Sequence, residues 1–286
     1  MEDIKAQMLR LLPHNNFFYR ICKRYIDLYN SENNCNILTN GELRLMRSVL
    51  PHCKTVFDVG ANVGDWTALA FEIKPDLQIH CFEPSEATFR HLVARNFDAE
   101  VTYNNCGLGS STGEATLYVY RDGSGENSLY KRRGLEDGWG LDPQTQTETV
   151  VLQALDEYCK NENVHHIDFL KVDVEGHELE VFKGALGMIA QGKIKRIQFE
   201  YGGCNIDARV LLKDIFDFFA PYGYVFYKVF PCELRHVTRY DQRLENFQYQ
   251  NWVIMAPDIN DKKGLPPKTA LGSKFLRNTT CYDATP

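Results

Sequence analysis

The segment Asp58-Val59-Gly60-Ala61-Asn62-Val63-Gly64 constrains this chain most, because it sets a glycine-rich turn between a buried strand and a helix. Thr55-Val56-Phe57 leads into the turn as an apolar strand, and residues near 64–73 follow it with helical spacing. A strand, a tight turn and a helix begin a βαβ unit, whose next strand must run parallel and whose helix must cover one face of the sheet. The alternation continues with a strand at 78–82, a helix near 86–95 and a strand at 100–103. Farther on, Ile167 to Val172 is a nearly continuous apolar strand, and Leu179, Phe182, Leu186 and Ile189 recur at helical spacing. A strand at 197–199 and a helix over 208–220, ended by Pro221 and Gly223, complete the series. This pattern predicts an α/β fold: a doubly wound, mostly parallel, seven-stranded Rossmann-like sheet.

Elsewhere the rhythm changes. Ala115 to Val119 and Thr149 to Leu152 read as strands flanking 121–148, a stretch rich in Gly, Asp and Gln and too long for a plain connection. It is expected to be a lid, an acceptor-binding insertion or a disordered loop. Tyr224 to Val229 and Asn251 to Ala256 are expected to close the domain as an antiparallel hairpin across a polar 230–250 segment. Helices are predicted at 4–12 and 17–29, on either side of Pro13, and residues after 257 read as a surface tail. The chain of 286 residues thus divides into a helical extension (1–38), one large domain (39–257) and a tail (258–286).

A formal charge of −6 argues against nucleic acid as a partner, since neutralising phosphates leaves a basic footprint. Lys131-Arg132-Arg133, the densest basic run, reads as solvated surface or as a contact to an anionic acceptor. Nine cysteines lie scattered without zinc spacing, and Met1 to Arg10 holds no apolar leader core, so reduced thiols and a cytoplasmic setting are expected. No stretch reaches the ~20 apolar residues of a membrane span. Homo-oligomerisation is left open.

A glycine turn entering a helix lets a ligand approach the backbone and meet free N–H groups. The dinucleotide fingerprint needs G-x-G-x-x-G, whereas here Gly60 and Gly64 flank Asn62, so the spacing counts against a nicotinamide-dependent oxidoreductase. Strand 78–82 then ends in Glu83-Pro84, which sets a carboxylate at the edge of the neighbouring strand, where it can accept ribose hydroxyls.

Val56 to Gly64, Phe82-Glu83-Pro84 and Asp168-Phe169-Leu170-Lys171-Val172-Asp173-Val174-Glu175-Gly176-His177-Glu178 together resemble the FkbM family of S-adenosylmethionine-dependent class I methyltransferases, over about 39–257. The likeness includes Gly41-Glu42, Leu155-Asp156, Phe182-Lys183-Gly184-Ala185 and Phe199-Glu200. The resemblance implies contact with S-adenosylmethionine by Asp58, Gly60, Asn62 and Gly64, with Glu83 on the ribose and Asn105 and Cys106 at the adenine edge. It also brings Glu42 into the cofactor set. The acceptor it implies is a small molecule or glycan, with a saccharide hydroxyl leading. A protein that keeps the fold without catalysis is the second reading.

Methyl transfer to an alcohol needs alignment and a base. Asp173 is expected at the end of strand 167–172 and Glu200 at the end of the next, where adjacent tips lie ~4.8 Å apart. The two carboxylates could share Mg²⁺ or another divalent cation, or Asp173 could act alone as base. Helix capping or an ion pair with Lys171 is the structural alternative. His177, with an ordinary pKa near ~6.5, is a further candidate base. Among the aromatic residues near the expected mouth, Tyr201 and Trp139 stand out.

Overall fold

The strand expected at 55–59 forms as β1 (Thr55–Val59), and all of its residues are buried. Its place explains this, because β1 pairs in parallel with β2 (Gln78–Phe82) on one side and β7 (Phe169–Val172) on the other. Beyond β2 lies β3 (Val101–Asn104), and beyond β7 lies β8 (Arg196–Tyr201), both parallel to their neighbours. Three antiparallel strands continue the sheet: β11 (Gln250–Met255), β9 (Val225–Val229) and β10 (Leu234–Val237). The order is β10-β9-β11-β8-β7-β1-β2-β3. This computed structural model describes residues 13–97, 100–121, 123–132 and 146–257.

Helices cover both faces. On one, Val56, Phe169, Ile79 and Cys81 pack with α2 (Glu42–Val49), α3 (Asp65–Ile73) and α4 (Glu86–Ala94) through Leu45, Met46, Trp66, Ala70 and Leu92. On the other, Phe57, Leu170, Ile197 and Phe199 pack with α5 (Leu155–Asn161), α6 (Glu178–Gly184), α7 (Leu186–Ala190) and α9 (Leu212–Phe219) through Tyr158, Phe182, Ile189 and Phe216. The alternation of side chains across a strand sends neighbouring residues to opposite cores. The doubly wound α/β class is therefore as expected.

The strand count is not, since the main sheet has eight strands rather than seven. The polar 230–250 segment supplies β10, and β11 lies between β9 and β8. The strands expected at 115–119 and 149–152 exist as β5 (Gly113–Val119) and β6 (Gln146–Ala154), but they join β4 (Gly107–Gly109) in a separate three-stranded sheet, β4-β6-β5.

The helix read through 179–189 is broken into α6 and α7, and two contacts explain the break. A Cβ on Gly184 would lie 2.0 Å from the Gly109 carbonyl oxygen, so the helix runs against β4 backbone at a glycine. The Asp156 carboxylate then accepts the amides of Gly187 (2.6 Å) and Met188 (2.9 Å), starting a new helix. The helix read over 208–220 is likewise α8 (Cys204–Ala208) and α9, separated where Arg209 turns left-handed at φ +57°. The helix expected at 17–29 is α1 (Asn16–Asn30). The expected 4–12 helix, Trp139 and the 258–286 tail lie outside the described residues.

Cys22, Cys35, Cys53, Cys81, Cys106, Cys159 and Cys204 are free thiols, four of them buried. Cys232 departs from the expectation of reduced thiols: it is disulfide-bonded, in the turn between β9 and β10. Among the described residues no helix is long and apolar enough to cross a membrane.

Candidate functional site

After Val59 the chain turns at once. Gly60 has φ +78°, and a Cβ there would lie 1.8 Å from the backbone oxygen of Asp173, so only glycine lets the tips of β1 and β7 approach this closely. The amides of Gly60 and Ala61 both donate to the Phe82 carbonyl at 3.0 Å, which ties the turn to the end of β2. Asn62, at φ +49°, donates its amide to Glu83 Oε2 (3.0 Å), while Glu83 Oε1 accepts the Ser85 amide (3.0 Å). Gly64, at φ +84°, then leads into α3. Two backbone donors leave Glu83 with acceptor capacity to spare, and its burial pushes its pKa up to about 7.

These tips form one side of a cleft that Asp173, Val174, Glu175 and His177 continue at the end of β7. Leu108, Leu117 and Leu152 of the small sheet make an apolar wall, and Ser124, Gly125, Asn127, Ser128 and Leu129 make a third side. The Asn62 Oδ1 atom is buried here without a hydrogen-bond partner among the described residues. Three contacts fasten the 123–132 stretch to the segment after β7: Ser128 Oγ donates to the Glu175 carbonyl (2.8 Å), Tyr130 Oη meets His177 Nδ1 (2.9 Å), and Arg132 pairs with the Glu175 carboxylate. Part of the expected lid or insertion is thus a wall of the cleft.

Burial dominates the titration of this rim. It pushes Glu175 up to about 8 against the opposing charge of Arg132, pushes Glu178 up to about 7, and drives His177 down to about 4. His177 Nε2 is buried and unpartnered. Glu178 does complement its helix start, accepting the amides of Gly176 (3.1 Å) and Val174 (3.3 Å).

Beside the cleft stands a buried charge cluster. Asp58, Lys171 and Gln198 are register partners across β1, β7 and β8, so they share one sheet face. The Lys171 Nζ lies 3.2 Å from Asp58 Oδ1 and 3.4 Å from Asp173 Oδ2. Asp58 is 0% exposed and also accepts the Thr67 hydroxyl at 2.7 Å. Gln198 Nε2 donates to Glu42 Oε1 (2.7 Å), and the Tyr249 hydroxyl donates to Glu200 Oε1 (2.6 Å). Burial alone would lower the Lys171 pKa, but Asp58, Asp173, Glu42 and Glu200 together raise it. Burial, then repulsion from Asp173 and Glu42, holds Glu200 well above the carboxylate range.

The residues singled out in the sequence therefore fall into groups. Gly60, Asn62, Glu83, Asp173 and His177 line the cleft together. Asp58, Glu42 and Glu200 stand in the charge cluster behind it. Asn105 braces the turn from below, its Nδ2 donating to the carbonyls of Glu83 (3.0 Å) and Pro84 (3.2 Å), and burial pushes the neighbouring Cys106 thiol up to about 11. Tyr201 is core rather than mouth: it is fully buried and its hydroxyl donates to Glu245 Oε2 at 2.5 Å.

The donor set at Asp173 and Glu200 does not suit a hard divalent cation. Such ions take six or more oxygens, yet Asp173 already faces Lys171 and Glu200 is held towards its protonated form beside Tyr249. Among the described residues no group of three or more His, Cys, Asp or Glu could hold a metal. The sequence offers Lys171 only as an ion-pair alternative for Asp173 and Tyr249 only as one of several aromatics near the mouth, and gives no sign of Tyr130 or the leucine wall. A lysine inside the apolar run Phe169-Leu170-Lys171-Val172 was the available signal, because a buried charge needs partners.

A sequence profile described as the methyltransferase FkbM domain matches residues 58–226, more than half of the chain. The 31-O-demethyl-FK506 methyltransferase FkbM of Streptomyces tacrolimicus is 30% identical over 152 residues, covering 45% of this chain and 58% of that protein. The hexuronic acid methyltransferase AglP of Haloferax volcanii is 26% identical over 182 residues, covering 61% and 69%. A solved methyltransferase FkbM from Methylobacillus flagellatus KT aligns with TM-score 0.43 at 16% identity, over 71% of this chain and 43% of that one. The chain spans about three-fifths of the length of the first curated relatives it matches. The turn at Gly60, the strand-end Glu83 and the Asp173 tip all fall within the matched span, and the chain belongs to the FkbM methyltransferase domain family.

Proposed function

We propose that this chain transfers a methyl group from S-adenosylmethionine to a hydroxyl of a saccharide or glycosylated metabolite, with Asp173 as the proton acceptor. Support for the cofactor comes from chemistry open to it in the cleft. Glu83 has unused acceptor capacity for a ribose diol, Asn62 Oδ1 is a buried atom in need of a donor, and Leu108, Leu117 and Leu152 offer an apolar bed for a base. When bound, S-adenosylmethionine supplies an electrophilic methyl group. The acceptor class rests on the hexuronic acid and FK506 named for the relatives.

The observation that carries the assignment of the base is Asp173 in the cleft wall with Lys171 Nζ 3.4 Å away. The ammonium fixes the carboxylate in the cleft wall, where it can take the hydroxyl proton as the oxygen attacks. His177 is less suited, since burial has removed most of its basicity and Nδ1 is engaged by Tyr130. It holds the loop wall instead.

The test is transfer of a tritiated methyl group to a panel of hexuronic acids, glycosides and macrolide alcohols, run beside calorimetric titration with S-adenosylhomocysteine. Asp173→Asn is expected to bind the homocysteine nucleoside within a few-fold of the parent and to lose about 10²–10⁴ in transfer rate. Full activity in that variant would remove Asp173 as the base. Tight binding with no transfer to any alcohol would favour the non-catalytic reading.

A further inference from the structure

Helix α1 presents its polar side to the protein and its apolar side to solvent. Asp27 is only 9% exposed, and the Lys23 ammonium pairs with it while also donating to Gln248 Oε1 at 3.0 Å. Just beyond the helix, Glu32 Oε1 accepts Lys228 Nζ (2.9 Å) and Asn246 Nδ2 (2.8 Å), and the Asn33 amide donates to the Tyr249 carbonyl (2.9 Å). Polar contacts thus pin one edge of α1 to the start of β11. On the opposite side Phe17, Ile21, Tyr25, Leu28 and Tyr29 are 74%, 49%, 67%, 59% and 66% exposed. A surface helix ordinarily buries such a stripe, and a contiguous apolar patch left outside marks an interaction surface.

We propose that a second copy of this chain covers that face, the two α1 helices packing antiparallel about a two-fold axis beside residue 23. The half-buried Phe18 and the exposed Ile21, Tyr25 and Leu28 recur at steps of three, four and three, the spacing of a seam between paired helices. The stripe is also self-complementary when reversed. With residue 23 on the axis, Phe17 meets Tyr29, Phe18 meets Leu28 and Ile21 meets Tyr25, so one patch serves both copies, as an isologous contact requires. The area suffices: at roughly 200 Å² per large side chain, the five exposed residues offer about 600 Å² per copy. The pair would bury about 1,200 Å², above the ~1,000 Å² expected of a specific interface. Because α1 is pinned beside Tyr249, whose hydroxyl donates to Glu200, the interface would abut the segment that supports the charge cluster.

Sedimentation equilibrium on the full chain tests this. The parent is expected to form dimers. Ile21→Glu and Tyr25→Lys, both at exposed positions, should each weaken association at least about tenfold with unchanged circular dichroism. An equimolar mixture of the two variants should regain the dimer, because Glu at 21 would then face Lys at 25 of the other copy. A monomeric parent, dimers indifferent to both substitutions, or a mixture that fails to recover would each overturn the proposal. So would a monomeric parent that sediments with phosphatidylserine vesicles and loses that binding in Arg20→Ser/Arg24→Ser, since the stripe would then belong to a lipid surface.

Discussion

Two parts of the candidate site, the turn wall of the cleft and the charge cluster behind it, are built by different means. The turn wall, Gly60 to Gly64 with Glu83, is assembled within 26 positions of sequence and held through main-chain donors: the Gly60 and Ala61 amides to the Phe82 carbonyl, and the Asn62 and Ser85 amides to the Glu83 carboxylate. The charge wall draws Glu42 from α2, Asp58 from β1, Lys171 and Asp173 from β7, Glu200 from β8 and Tyr249 from the approach to β11, and side chains hold it. Outside Gly60 and Glu83, a wall held through backbone donors survives most changes of side chain. A wall of buried charges has no such reserve, because each member left unpaired bears its full desolvation cost.

The contrast is broken most forcefully at Lys171. Lys171→Met keeps the length of the side chain but strands the carboxylate of Asp58, whose other side-chain hydrogen-bond partner among the described residues is the Thr67 hydroxyl. Loss of one partner from a buried pair costs about 3–5 kcal/mol. Urea unfolding should show that loss, and Asp58→Asn introduced on top should return part of it by removing the stranded charge. A midpoint unchanged by Lys171→Met would mean that the cluster does not support the fold.

The turn wall is sharpened by pH. Glu83 titrates near 7 in the folded chain, above its usual 4.5, so near neutrality the free protein holds a proton that a ribose-binding carboxylate must give up. The sign follows: affinity for S-adenosylhomocysteine should rise as pH climbs from 6 towards 7 and flatten above it, with a slope of up to about tenfold per pH unit on the acid side. Glu175 and Glu178 titrate in the same range, so Glu83→Gln is the control that isolates this residue. Calorimetry across that range should give a flat profile for the variant. A slope that persists would shift the effect to those neighbours.

Legibility in the sequence follows the same division. Strands such as β1 and β2 were legible because a buried parallel strand is a short apolar run, and the turn was legible because its positive-φ positions demand glycine or tolerate asparagine. Asp173 was legible as a strand-end carboxylate. The partners of Lys171 were not, since Gln198 and Glu42 meet through sheet register and helix packing that no local pattern encodes. The break between α6 and α7 stayed hidden for a similar reason: the apolar spacing of Leu179, Phe182, Leu186 and Ile189 runs straight through it, and only the approach of Gly109 and the Asp156 cap reveal it. Tyr201 misled because an aromatic beside a strand end is read as a mouth residue, while its own strand alternation turns it to the core.

The loop wall gives the smallest effect and separates the two walls further. Tyr130→Phe removes the hydroxyl that meets His177 Nδ1 at 2.9 Å and leaves both ring nitrogens without a partner among the described residues, where Nε2 already has none. One such hydrogen bond is worth about 1 kcal/mol net. Ser128 and Arg132 still fasten the stretch to Glu175, so the loop should loosen rather than detach. The expected outcome is a few-fold faster dissociation of S-adenosylhomocysteine in stopped-flow, with global unfolding lowered by no more than that ~1 kcal/mol. The pH slope set by Glu83 should stay as it is in the parent, because neither the Asn62 amide nor the Ser85 amide that holds this carboxylate touches Tyr130. An unaltered dissociation rate would show that the 123–132 stretch does not gate the cleft and that His177 stands there for packing alone.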